Sequence, residues 1–181
     1  MKYDNKTRDE LISIIEDFEK SLDKCRYERI EFAQSLEESS LRYSQLFNTI
    51  NTGAIVYKAV DKGKDFIFVE VNKAAQRIDS IKKEKIIGKR ITEVFPNVQE
   101  FGLLGVLYHV WETGVSQILP LAHYKDSRIE GWRKNYVYRL PSGEVVAIYE
   151  DATEQKKSEE ALRESESHFR KLVSNVPGVV C

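Results

Sequence analysis

Three histidines and two cysteines are the side chains of this 181-residue sequence best suited to redox, metal or nucleophilic chemistry. Their spacing forbids most of it. Cys25 and Cys181 have no cysteine between them, so there is no disulfide framework and no C-x-x-C-H site for haem attachment, a usage that fits a reducing cytosol. No Ser-His-Asp set, His/Cys metal spacing, phosphate-binding glycine loop, phosphoacceptor box or "GGDEF"-type stretch occurs. No catalytic residue and no metal site is expected. His109 is the one side chain that tempts, as an axial ligand for haem b. It lies within "VQEFGLLGVLYHVWETG", 98–114, read as a single helix. There it shares a stripe with Gly102, Gly105 and Glu112, while Phe101, Leu104, Tyr108 and Trp111 form the apolar stripe. His109 is therefore expected to be exposed or capping. His123, at a strand end, and His168, on a helix surface, are read as surface residues.

The elements that would position any site follow from composition and period. Hydrophobic residues make up 41% of the chain, enough for a core, and charged residues 31%, above the roughly 25% of globular domains. The excess sits at the two ends. With net charge −1 and both signs interspersed, no basic stripe marks a nucleic-acid or membrane partner. The uncharged run near the middle, 101–111, is far short of the about 20 apolar residues that span a bilayer. The first residues are acidic and periodic, unlike a signal peptide. A cytoplasmic location is expected.

Residues 8–50 read as one long helix. Its four-three seam runs Leu11, Ile15, Phe18, Leu22, Cys25, Arg29, Phe32, Leu36, Ser39, Tyr43, Leu46, Ile50, broken only by Arg29 and Ser39. Such a seam favours a parallel homodimeric coiled coil over a helix packed on its own domain. Strands are expected at 53–60 and 65–71, joined by the turn 61–64. A short helix at 72–80 has Asn72 as N-cap, and a turn with a helical piece at 88–97 ends at Pro96. After the helix 98–114, closed by Gly114, come strands at 115–124, 130–140 and 143–151, the last two joined by "PSG". This order implies an α+β fold, an antiparallel sheet covered on one side by helices. The segment 161–181 matches 35–55 at an offset of 126, pairing Leu36 with Leu162, Tyr43 with Phe169 and Leu46 with Leu172. A whole domain therefore starts to recur, and the chain reads as a piece of a longer protein.

Residues 42–154 resemble a PAS sensor domain. The resemblance rests on "LRYSQLFNTINTGAIVY", "VNKAAQRI", "IIGKRITEVFP", "VWETG" and "LPSGEVVAIYEDATEQKKSEEAL", in this order and spacing. The last carries the family's D-[IV]-T signature as Asp151-Ala152-Thr153, with Ala at the middle position. The resemblance implies a five-stranded antiparallel sheet flanked by long N- and C-terminal helices. The expected divisions are an amphipathic helix over 1–50, the PAS domain over 51–153, a helical output linker over 154–173 and the start of a second PAS domain over 174–181. It also implies a sensory or relay module of a prokaryotic signalling protein, most often a sensor histidine kinase. A ligand-free dimerisation module and the input of a diguanylate cyclase are the alternatives. Signals would leave through Asp151 and Thr153, and the dimer seam would use Ile15, Phe18, Leu22, Cys25, Phe32 and Leu36.

In this family, ligand pockets lie between the long helix and the inner face of the sheet. The helix offers Leu104, Leu107, Tyr108 and Trp111, and the strands offer Phe68, Leu119, Leu121, Trp132, Tyr136 and Tyr138. Period-two alternation puts Trp132, Tyr136 and Tyr138 on one face and Arg133, Asn135 and Arg139 on the other. The aromatic face has three uses open to it: lining a pocket, filling a solid core, or docking the N-terminal helix outside the sheet. A core or docking surface is the more frequent outcome. No cofactor is expected: a covalent flavin lacks its cysteine and haem lacks a suitably placed histidine, while a noncovalent flavin and an unidentified small molecule stay open.

Overall fold

The computed structural model describes residues 7–174. The chain divides into two compact units, Met1–Leu46 and Phe47–Cys181. The first is formed by helix α1, Arg8–Thr49, whose last residues enter the second. A reciprocal pair starts this helix: Glu10 N–H donates to Thr7 Oγ1, and Thr7 N–H donates to Glu10 Oε2 at 2.8 Å. Two otherwise orphaned donors are satisfied in this way. Its seam is exposed in the single chain, Phe18 to 68% and Phe32 to 72%.

The second unit is built on a five-stranded sheet in the order β2-β1-β5-β4-β3, antiparallel throughout. Its strands are β1 Gly53–Val60, β2 Asp65–Val71, β3 Gln117–Lys125, β4 Glu130–Arg139 and β5 Val145–Asp151. Helices α2 Lys73–Ile78, α3 Lys83–Ile86, α4 Ile91–Val94, α5 Val98–Phe101 and α6 Leu103–Thr113 form the connection between β2 and β3. The core lies between them and one face of the sheet, with Ile55, Tyr57, Phe68, Leu107, Val110 and Val137 almost wholly out of water. Helix α7, Thr153–Ser174, leaves directly after β5.

Asn72 ties the helical connection to the sheet. Its Oδ1 accepts from Ala75 N–H at 2.8 Å, capping α2, and from Ala54 N–H at 3.0 Å, while its Nδ2 donates to Thr52 O at 2.9 Å. It is wholly buried and fills the capping role read from sequence.

The single helix expected over 98–114 is instead two. Gly102 takes φ +90°, a left-handed conformation that costs little only without a Cβ, and separates α5 from α6. The break re-phases the second segment. Its buried face is Leu103, Val106, Leu107 and Val110, one position round from the stripe expected through Leu104, Tyr108 and Trp111. Tyr108 is 40% exposed, while Leu104 and Trp111 are half-buried, Trp111 resting against Gly63. Helix α3 lies between the elements expected at 72–80 and 88–97.

Candidate functional site

A cavity of about 40 Å³ lies between the inner face of the sheet and the helices. Ile55 and Tyr57 reach it from β1, Ala147 and Tyr149 from β5, Arg133 and Asn135 from β4, and Tyr124 from β3. Phe95, Val98, Phe101 and Leu103 close it from the helical side, and Ile129 and Asp79 complete the lining. Phe95 and Phe101 both stand edge-on to Tyr124, with ring centres 5.8 and 5.4 Å away. The lining is thus largely aromatic and aliphatic, with a few polar groups placed among them, as in small-molecule sites.

None of the residues expected to line the ligand pocket lines this cavity. Phe68 and Leu107 are filled into the solid core, Phe68 stacking obliquely between Tyr57 and Phe95. Leu119 packs on the edge of that core, and Leu121 is 38% exposed. Trp132, Tyr136 and Tyr138 lie on the outer face, opposite the cavity: Tyr136 is 44% exposed, whereas Arg133, Asn135 and Val137 are buried on the inner face. The reason is register. β4 and β5 pair Asn135 with Tyr149 and Val137 with Ala147, so β4 must present its odd-numbered residues to the same side as Tyr149. The outer aromatics find other uses. Tyr136 pairs with Ile118 and Ile148 across the strands, and the Trp132 ring sits beside His123 and under Lys156 of α7. His109 is exposed and does not line the cavity.

A polar chain joins the cavity to α7. Tyr149 donates its phenol hydrogen to Asp79 Oδ2 through a short hydrogen bond. Asp79 Oδ1 lies 3.7 Å from Arg133 Nε. Arg133 Nη1 donates to Asp151 Oδ1 at 2.6 Å and to Thr153 Oγ1 at 3.3 Å, and Nη2 donates to Ile78 O at 3.4 Å. Thr153 N–H and hydroxyl both donate to Asp151 Oδ1, and Thr153 Oγ1 accepts from Trp132 N–H at 3.0 Å. Asp151 therefore accepts the first N–H of α7, and both Asp151 and Thr153 are fastened to β4. Gly131 makes this packing feasible: a Cβ there would come within 2.5 Å of Arg133 Nη1 and 2.6 Å of Thr153 Oγ1.

The electrostatics of the chain are unbalanced. One guanidinium serves two carboxylates, Asp79 and Asp151, and both Arg133 and Asp79 are buried. Burial drives the Asp79 pKa up to about 6, outweighing the Tyr149 hydrogen bond and the Arg133 charge, which pull it down. The Tyr149 phenol is pushed well above its usual range by burial and by Asp79. Asn135 adds a second anomaly. It is 3% exposed, and its Nδ2 is the one buried side-chain polar atom without a hydrogen-bond partner among the described residues.

Sequence reading missed Asp79, Arg133, Asn135 and Tyr149. A signal for Arg133 was present. The tight turn after Leu140 closes where Leu140 N–H meets Glu144 O. Counting six residues back from Arg139 and six on from Val145 sets Arg133 opposite Asp151, a charge pair. Asp79 gives no such signal, because its partners come from strands more than fifty residues away.

An antiparallel sheet of this order, with its helices gathered on one face over a small cavity and a capped helix leaving the last strand, defines a PAS-type domain. The family model described as PAS fold matches residues 54–157, more than half of the chain, and the protein belongs to that family. Its fold is similar to a domain of a sensory box sensor histidine kinase/response regulator from Geobacter sulfurreducens, with TM-score 0.50 at 14% identity over 64% of this chain and 96% of that one. A PAS domain from Colwellia psychrerythraea gives TM-score 0.50 at 14% identity, covering 62% and 96%. A LOV protein from Rhodobacter sphaeroides gives 0.54 at 8%, covering 70% and 73%. No curated protein matches the sequence. The chain thus carries a PAS domain over residues 54–157. Among the described residues, no helix is long and apolar enough to cross a membrane, and no three His, Cys, Asp or Glu side chains are grouped to hold a metal ion.

Proposed function

We propose that this PAS domain is a relay. A change in its core, brought by a ligand or a partner, shifts Arg133 between Asp79 and Asp151 and so loosens or tightens the first turn of α7. The movement continues along α7 to downstream domains of the same protein, a further PAS domain and then an output for which a histidine kinase is the first choice and a diguanylate cyclase the second. The enzymatic activity would reside in that output. The chain acts in the cytoplasm as a parallel homodimer through the seam of α1, Ile15, Phe18, Leu22, Cys25, Phe32 and Leu36, so that both partners move together. Neither nucleic acid nor membrane is a partner.

The observation that carries this reading is the shared guanidinium, with Asp79 at the cavity and Asp151 at the cap of α7. A buried carboxylate and a more exposed one competing for one cation make an arrangement with two settings, which a relay needs. Amide hydrogen exchange tests it. Asp79→Asn leaves Arg133 wholly to Asp151, and exchange over residues 153–160 is expected to slow by roughly threefold or more. Asp151→Asn is expected to speed it. If both variants fold and exchange in α7 is unchanged, the relay is refuted.

The small volume of the cavity favours a second reading, a ligand-free dimerisation module in which the neighbouring domain is the stimulus. It shares the same relay and differs only in what moves Asp79.

A further inference from the structure

We propose that the cavity binds a small, neutral molecule bearing one hydrogen-bond acceptor, a carbonyl compound in the first instance, whose oxygen accepts from Asn135 Nδ2. The inference rests on the relay reading for its consequence but not for its chemistry. Leaving a buried amide donor unpaired costs roughly as much as a whole hydrogen bond. Asn135 nevertheless stands on the inner face of β4, opposite Tyr149, with its nitrogen unpartnered and its side chain on the cavity wall. The neighbouring polar groups cannot serve it: Asp79 is engaged by Tyr149 and lies beside Arg133, and Arg133 is itself a donor. The missing partner is an acceptor.

Size and charge narrow the class. At about 10–15 Å³ for each water-sized sphere, 40 Å³ holds roughly three, the room for a molecule of about four non-hydrogen atoms. A lone water would fill about a third of this volume and leave most of a largely apolar lining without a contact. An anion would meet a site where two carboxylates already share one guanidinium. A cation would bring donors to a donor and leave Asn135 unpaired. A neutral carbonyl compound meets neither objection. Its apolar end beside Asp79 would favour the uncharged carboxyl and release Arg133 to Asp151.

Four probes of one size separate these classes: acetone, isobutene, acetate and isopropylammonium. Each is titrated at millimolar concentration into the full 181-residue chain while the Asn135 side-chain amide is followed by nitrogen-15 correlation spectroscopy. Acetone is expected to shift that signal saturably. Isobutene should bind several-fold more weakly, and the two ions at least tenfold more weakly. In Asn135→Leu, isobutene should overtake acetone. If either ion matches acetone, or if the amide signal responds saturably to no probe, the proposal is overturned, and the selectivity of the wild-type chain decides this even should the variant not fold. Binding of acetone with unchanged exchange over 153–160 would leave the ligand class standing and refute the relay. No binding, together with slowed exchange in Asp79→Asn, would do the reverse.

Discussion

Asp79 is where single-residue energetics and signalling meet. In the unfolded chain its carboxyl titrates near 3.8, and in the folded domain near 6, because burial penalises the charge more than Tyr149 and Arg133 favour it. The charged and polar groups that face it are Arg133, Asp151, Arg128, Tyr149 and Tyr57. Since the folded value is the higher one, the folded state holds the proton more tightly. The contribution of Asp79 to stability is therefore fully present below about 3.8 and is lost as pH rises through 6. The loss amounts to roughly 3 kcal/mol at full ionisation. Asp79→Asn cannot ionise, so its stability relative to the wild type should rise between pH 4 and 7 by a comparable amount. Urea midpoints measured for both proteins across that range check this, and parallel curves would show that Asp79 is not desolvated as described.

The elements are held by joints that bring distant segments together. Asn72 is the clearest, since one side chain caps α2 and at the same time pins the start of β1 through Ala54 and the preceding loop through Thr52. Asn72→Ala would strand two donors and one acceptor in a wholly buried place. A loss of roughly 2–4 kcal/mol is expected, at the upper end of cap deletions because the partners cannot reach water. Chemical denaturation would show it, and a loss below about 1 kcal/mol would mean that water replaces the amide. The junction of β5 and α7 is a joint of the same kind. Asp151 accepts the first N–H of the helix locally, yet Arg133 holds Asp151, and the Trp132 amide holds Thr153, from another strand. A helix capped by its own neighbours alone would not register events in the core.

For the whole molecule, the exposed seam of α1 sets the prediction. Ile15 and Leu22 are 56% and 48% exposed in the single chain, and Phe18, Phe32 and Leu36 are more exposed still. Pairing would bury several such side chains from each chain, worth several kcal/mol at about 25 cal/mol per Å². The wild type is expected to sediment as a dimer, and Ile15→Asp with Leu22→Asp as a monomer whose PAS unit melts unchanged. Cys25 is a free, exposed thiol on the seam, so a parallel pair in register should cross-link on mild oxidation and fail to in Cys25→Ser. A wild-type monomer, uncross-linked under the same oxidation, would remove the homodimer from the mechanism.

Local pattern carried the sequence reading a long way. The period of 8–50, the turn residues at 61–64 and 140–143, the cap at Asn72 and the Asp151–Thr153 signature each act over a few residues, and each appears in the structure as an element or a joint. The start of a second domain expected over 174–181 lies, past Ser174, outside the described residues. Tertiary structure decided the site. Which face of β4 turns inward is set by its pairing with β5, which buries Arg133 and Asn135 and leaves Tyr136 wet, against the ordinary preference for aromatic side chains inside. The face of α6 that packs is set by one left-handed glycine at its start. Neither a register nor a rotation of phase costs anything measurable within its own segment. Only the neighbouring strand, or the sheet beneath the helix, makes one choice better than the other, and so the cavity and its polar chain came into view only once the segments were assembled.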